Sequence, residues 1–156
     1  MSDRAEEIRK SYGMELLEEE HTYLCEVYRS PLLTPEGLPA LTTIYGLYCP
    51  GSYSRFHRLS REEVWSFYEG DPIRLTLLYP DGTAREVVLG PDRDAAYQFT
   101  IPAGVWQGGC LDGEGSYALY GCTVAPGFTP DCYTGADPEE LIARYPQMET
   151  AIRRLT

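Results

Sequence analysis

The sequence predicts a mainly β protein, an antiparallel sandwich or barrel, with one helix at each end. Three observations predict it. Between residues 41 and 128, short runs rich in β-branched and aromatic residues recur, each closed by Gly, Pro or Asp. The stretch "IRLTLLYPDGTAREVVLG" sets two such runs either side of "PDG", the chemistry of a hairpin turn. Helical spacing of apolar residues appears only at the two ends of the chain.

Taken in order, residues 3–19 carry Ala5, Ile8, Tyr12 and Leu16 at helical spacing, with Ser2 or Asp3 as cap. "TYLCEVYRS" then alternates, Tyr23, Cys25 and Val27 on one face and Leu24, Glu26 and Tyr28 on the other. "PLLTPEGLPA" reads as a loop. "LTTIYGLYC", "EVWSFYEG", "AYQFTIPAG", "VWQGGCL" and "SYALYGCTVAPGF" read as strands with their closing turns. Gly51, Gly70, Gly82 and Gly104 suit turns that need positive φ. A second helix is expected over 137–155, with Asp137 as N-cap and Pro138 at its first position. No repeat or linker interrupts this order. The expectation is one domain over 1–156, with a β region from about 22 to 134 between the helices.

The chain has 156 residues and 43% hydrophobic content, enough to bury a core. Its net charge of −11 repels phosphate backbones and anionic headgroups, so neither nucleic acid nor a membrane surface is an expected partner. No apolar run reaches the roughly 20 residues of a membrane helix. "MSDRAEEIRK" lacks the apolar core of a signal peptide. Cys25, Cys49, Cys110, Cys122 and Cys132 are odd in number and form no C-x-x-C pair. They read as reduced thiols of a cytoplasmic protein and argue against structural zinc.

The chemistry concentrates in "PGSYSRFHRLSREEVWSFYEGD", residues 50–71. Gly51, His57, Leu59, Glu63 and Gly70 reproduce the spacing G-x5-H-x-H-x3,4-E-x6-G, with Leu59 at the second His position. That pattern resembles the first cupin motif. "PAGVWQ" resembles the core of the second, with Pro102 and Gly104 kept and Gln107 in place of its His. Ala96 and Leu111 stand where that motif has Gly and Asn. "YRSP", "FYEGDP", "VVLGPD" and "GCTVAPGF" extend the resemblance to the cupin-5 group of small cupins, over nearly the whole chain. Two departures stand out. Members commonly carry an "HPEGGYF"-like segment where this chain has "LEEEHTYLCEVYRS", and "WHFYEG" where Ser66 replaces the His.

The resemblance implies a cupin double-stranded β-helix, a jelly-roll barrel, paired as a homodimer, with a pocket inside. Cupin relatives include sugar epimerases such as dTDP-4-dehydrorhamnose 3,5-epimerase, and metal-dependent dioxygenases and isomerases. A cupin metal centre uses three His and one Glu. Here only His57 and Glu63 stand in register, Leu59 has no donor atom, and Gln107 offers a weak carbonyl oxygen. The expectation is therefore no metal cofactor. A divalent ion at His57, Glu63 and Gln107, with Glu26 added, is the lesser alternative.

The expected ligand-contacting residues are Glu26, Arg55, His57, Glu63, Trp65, Gln107 and Tyr120. Arg55 shares strand parity with His57, so it is placed inward, where it would need an anion. His57 is also the candidate general base, since an imidazole exchanges protons near neutrality. Tyr117, Tyr120 and Tyr133 are candidates for a partner acid. His21, beside three glutamates, reads as a surface residue. Three functions are thus open: a small-molecule binder, a metal-independent sugar or nucleotide-sugar epimerase or isomerase, and a metal-dependent enzyme.

Overall fold

The computed structural model describes residues 1–156. In chain order its strands are β1 (Glu15–Leu17), β2 (Thr22–Arg29), β3 (Thr42–Tyr48), β4 (Tyr53–Leu59), β5 (Glu62–Gly70) and β6 (Ile73–Leu78). There follow β7 (Ala84–Leu89), β8 (Gln98–Ile101), β9 (Trp106–Leu111), β10 (Ala118–Ala125) and β11 (Tyr133–Gly135). They form two antiparallel sheets, ordered β1-β2-β3-β10-β5-β8 and β11-β4-β9-β6-β7. Trp65, Phe67 and Tyr120 of the first sheet pack with Leu75, Leu77 and Leu89 of the second in the main core. Inward–outward alternation along each strand builds that core.

The β6–β7 hairpin forms as expected. Ile73 pairs with Leu89 and Leu78 with Ala84, and the Asp81 carboxylate accepts from the backbone N–H and hydroxyl of Thr83. The motif glycines Gly51 and Gly70 sit at φ +86° and +102°, in the left-handed region expected of them.

Two helical expectations need correction. The N-terminal helix α1 spans Asp3–Ser11 instead of 3–19. Ser2 caps it by accepting from the Ala5 N–H, and Ala5 and Ile8 bury against Met14, Leu47 and Leu119. Gly13 at φ +60° then ends the helical path. Leu16, which fitted the helical period, lies instead in β1, opposite Tyr23. At the other end, one helix over 137–155 is in fact α2 (Pro138–Arg144), a 3-10 turn (Pro146–Met148) and α3 (Glu149–Arg154). Pro146 causes the break. It drives Tyr145 out of the helical region, to φ −127° and ψ 61°. Leu141, Tyr145, Ile152 and Leu155 still cover Phe56 and Leu78 on the outer face of the second sheet.

One irregularity positions the site. Along β4 the pairing with β9 slips between Ser54, opposite Gly109, and His57, opposite Gln107. The extra residue reverses the parity of the strand. Ser54 and His57 both turn inward, and Phe56 packs against the C-terminal helices.

Candidate functional site

A cavity of about 190 Å³ lies at one end of the main core. Residues of β1 to β5 and β10 wall it, together with Glu20 from the β1–β2 turn and Phe128 after β10. Most of the wall is apolar, with Leu24, Ile44, Leu59, Trp65 and Val124 among its residues. No Lys or Arg lines it.

Strand parity on β5 explains its polar centre. Glu62 is exposed, while Glu63 and Trp65 point inward at 6% and 3% exposure. The Trp65 Nε1–H donates to Glu63 Oε2 at 3.0 Å and to Gln107 Oε1 at 2.9 Å. Gln107 Nε2 donates to the same Glu63 oxygen at 2.7 Å. The Trp65 indole stacks on Tyr120, centroids 4.6 Å apart and planes 15° apart. The Tyr120 hydroxyl is 3.3 Å from Thr22 Oγ1. Burial pushes the Glu63 carboxyl above the ordinary glutamate range, against the opposing pull of His57 and of the Gln107 and Trp65 hydrogen bonds.

His57 is 4% exposed and pairs across the sheets' second ladder with Gln107 and with Gly135. Its Nδ1 lies 2.7 Å from the Arg55 carbonyl oxygen. A carbonyl can only accept, so Nδ1 carries the proton and Nε2 of the neutral ring is left as an acceptor. Tyr133 stacks on the imidazole, centroids 5.2 Å apart and planes 20° apart. Burial and the nearby Glu20 push the Tyr133 hydroxyl up to about 12, so it stays protonated at neutral pH.

His57, Glu63, Trp65 and Tyr120 therefore all line one cavity. Arg55 does not. The bulge in β4 turns it outward, and its side chain is exposed. No protein carboxylate or ligand anion is needed to compensate it. Glu26 reaches only the rim, where it is exposed and ion-paired to Arg29 at 2.6 Å. Gln107 is 1% exposed but is not part of the cavity wall; it acts as Glu63's hydrogen-bond donor. Tyr117 points elsewhere and donates to Glu69 at 2.7 Å. Ser66, opposite in parity to Trp65, accepts from Gln98 outside the cavity. His21 is half-buried, at φ +58°, beside the Tyr53 ring.

Glu20, Ser54 and Cys122 are among the lining residues missed from the sequence. Glu20 looked like one member of a solvated acidic run. Ser54 was hidden by the bulge. Cys122 follows Tyr120 by two residues in β10, and that parity alone could have found it. Burial and the Glu63 carboxylate push the Cys122 thiol up, which leaves it protonated and unreactive.

The residues present do not fit a cupin metal centre. Leu59 offers no donor atom at the second motif position, and Glu63 Oε2 already accepts two hydrogen bonds. Gln107 Oε1 is occupied by the Trp65 indole. Glu26, the extra carboxylate, is held at the rim by Arg29. No three His, Cys, Asp or Glu side chains cluster as metal ligands.

A family model described as "Cupin superfamily (DUF985)" matches residues 6–135. Two solved structures are similar over nearly the full length of both chains. A protein from Shewanella oneidensis is 30% identical with a TM-score of 0.92, covering 100% of this chain and 98% of its own. A hypothetical protein from Leishmania major is 31% identical with a TM-score of 0.88, covering 97% and 98%. An oxalate decarboxylase from Bacillus subtilis, 16% identical with a TM-score of 0.58, covers 90% of this chain and 36% of its own, and shares the fold alone. No curated protein matches the chain. The facing antiparallel sheets are thus a cupin double-stranded β-helix, with helices at both termini. By its matched residues and by the spacing of His57 and Glu63 between Gly51 and Gly70, the chain belongs to the Cupin_5 family of the cupin superfamily.

Proposed function

We propose that the protein is a small-molecule-binding cupin that holds its ligand inside the barrel without a catalytic metal, in the cytoplasm. One observation carries the reading. His57 and Glu63 are more than nine-tenths buried and both wall the cavity, yet no protein N–H or O–H donates to His57 Nε2 or to Glu63 Oε1, whose carboxylate has only the weak Cys122 thiol as a further donor. Buried polar atoms normally find partners, so atoms left free in a cavity await a guest or water. Elemental analysis of protein purified without chelator tests the metal-free half. Far less than one Mn, Fe, Ni or Zn per chain is expected. One ion per chain, lost in His57→Ala, contradicts it.

A second reading has its own support. His57 is held as an Nδ1–H tautomer, and the ring of Tyr133, whose hydroxyl stays protonated, stacks on it from outside the cavity wall. A base and an acid so placed suit a metal-independent epimerase or isomerase. The cavity volume and the lack of a lining cation favour a free sugar over a nucleotide-sugar. Incubation with a panel of free sugars in D2O should then exchange one carbon-bound proton, and His57→Ala should abolish that exchange. No exchange from any sugar leaves the protein a binder.

We also propose a homodimer. β1 pairs only with Thr22–Leu24, which leaves the rest of that edge of β2 open. Val27 and Tyr28, with Leu32 and Leu33 just beyond, are exposed there. An open apolar strand edge is a pairing surface. Light scattering at micromolar concentration is expected to give twice 17.6 kDa, and a mass of only 17.6 kDa contradicts pairing.

A further inference from the structure

The titratable groups at the centre of the cavity turn acceptor atoms toward it. Glu63 Oε1 receives no N–H donor, because the Trp65 and Gln107 N–H groups both go to Oε2. His57 Nε2 is free because Nδ1–H is spent on the Arg55 carbonyl. Glu20 brings a third acceptor group to the wall and forms no ion pair, whereas Glu26 at the rim is neutralised by Arg29. Around them are aromatic and aliphatic faces, Trp65, Tyr120 and Phe128 among them. Arg55, which would have matched an anion, is outside. We propose, resting on the binding reading above, that the ligand is a small organic amine: a protonated ammonium at Glu63 and His57, with Glu20 adding negative charge from the wall, and an apolar body against Trp65 and Phe128.

The chemistry is complementary in kind. An ammonium carries up to three N–H donors and no acceptor, and the cavity offers acceptors and no Lys or Arg. Charge-assisted hydrogen bonds are about twice as strong as neutral ones. Aromatic faces add attraction for a cation, and they pack the apolar body. The size also fits. A dry apolar cavity of about 150 Å³ accommodates benzene, so about 190 Å³ suits one ring with a short substituent. Carboxylates and phosphates would meet Glu20 and Glu63 with no compensating charge, a like-charge contact in a poorly solvated place.

Three isosteric probes test this by calorimetric titration of the full chain at neutral pH: benzylamine, benzyl alcohol and benzoate. Benzylamine, protonated there, is expected to bind at least about tenfold more tightly than benzyl alcohol, and benzoate not at all. Glu20→Gln should remove most of that preference, while Glu18→Gln, an exposed neighbour, should keep it. Glu20 is only half-buried, so its replacement leaves the core untouched. Equal or tighter binding of the alcohol, or binding of benzoate, overturns the amine inference and leaves the binding reading standing. A preference that falls equally in Glu18→Gln overturns it as well, because the effect is then one of overall charge. Binding of none of the three overturns the amine inference, and the binding reading is then decided by the Trp65 indole signal against a wider set of compounds.

Discussion

Gly70→Ala is expected to destabilise the fold by about 2–5 kcal/mol. Two costs add. At φ +102° an L side chain is strained by about 1–2 kcal/mol. The new Cβ would also sit on the backbone carbonyl oxygen of Tyr117, and backbone cannot swing aside as a side-chain tip can. Relief would require opening the end of the β5–β10 ladder, where Gly70 pairs with Ala118. Overpacking of that kind costs about 1–3 kcal/mol more. Gly51 supplies the internal control. It closes the other end of the same motif at φ +86°, with nothing near its would-be Cβ. Gly51→Ala should therefore cost only the conformational term, about 1–2 kcal/mol. Chemical denaturation of both variants checks the difference. Equal losses would show that crowding at Tyr117 contributes nothing.

The second large effect lies in the pocket. Trp65→Phe is expected to cost about 2–3 kcal/mol, because it strips a donor from a buried carboxylate and also frees Gln107 Oε1. The stacked ring on Tyr120 is largely kept, so the loss reports the hydrogen bonds. In a Glu63→Gln background the same change should cost only about 1 kcal/mol, since no charge is then left uncompensated. Equal costs in the two backgrounds would dissociate Trp65 from Glu63.

Glu63 also sets a pH dependence, and its sign follows from burial. Its carboxyl titrates above the ordinary glutamate range in the folded chain. Below that range the carboxyl is protonated whether the chain is folded or unfolded, and its contribution to stability is fully present. As pH rises through the folded value, that contribution is lost. Glu63→Gln should therefore gain on the native protein as pH rises above the ordinary glutamate range. A difference that stays constant with pH would contradict the burial argument. A charge kept at such a cost suits a residue retained for its ligand.

How far the fold and site could be read from sequence depended on local regularity. β5 has no bulge where Glu63 and Trp65 lie, so simple alternation placed both inward. β4 does have one, and the same alternation then misplaced Arg55, since nothing in "YSRFHRL" marks an extra residue. The turn glycines were legible because positive φ is nearly their monopoly. The ends of the helices were less so. Leu16 kept the helical period past Gly13, and the pull of strand pairing with Tyr23 outweighed it. At the C-terminus the spacing carried across Pro146, whose backbone cannot follow it. Glu20 was unreadable for a different reason. Of three consecutive glutamates, only the turn between β1 and β2 decides which one faces the cavity.

The central claim, that a small molecule occupies this cavity, is tested most directly by the indole N–H signals in 1H–15N NMR. The chain has two tryptophans, Trp65 in the cavity wall and Trp106 outside it under Arg58. A Trp106→Phe variant assigns the two signals. Titration with single-ring compounds, amines included, is expected to move the Trp65 signal saturably and leave that of Trp106 in place. A Trp65 signal that stays fixed at millimolar concentrations of every compound, or moves only together with Trp106, would contradict a ligand held beside His57 and Glu63.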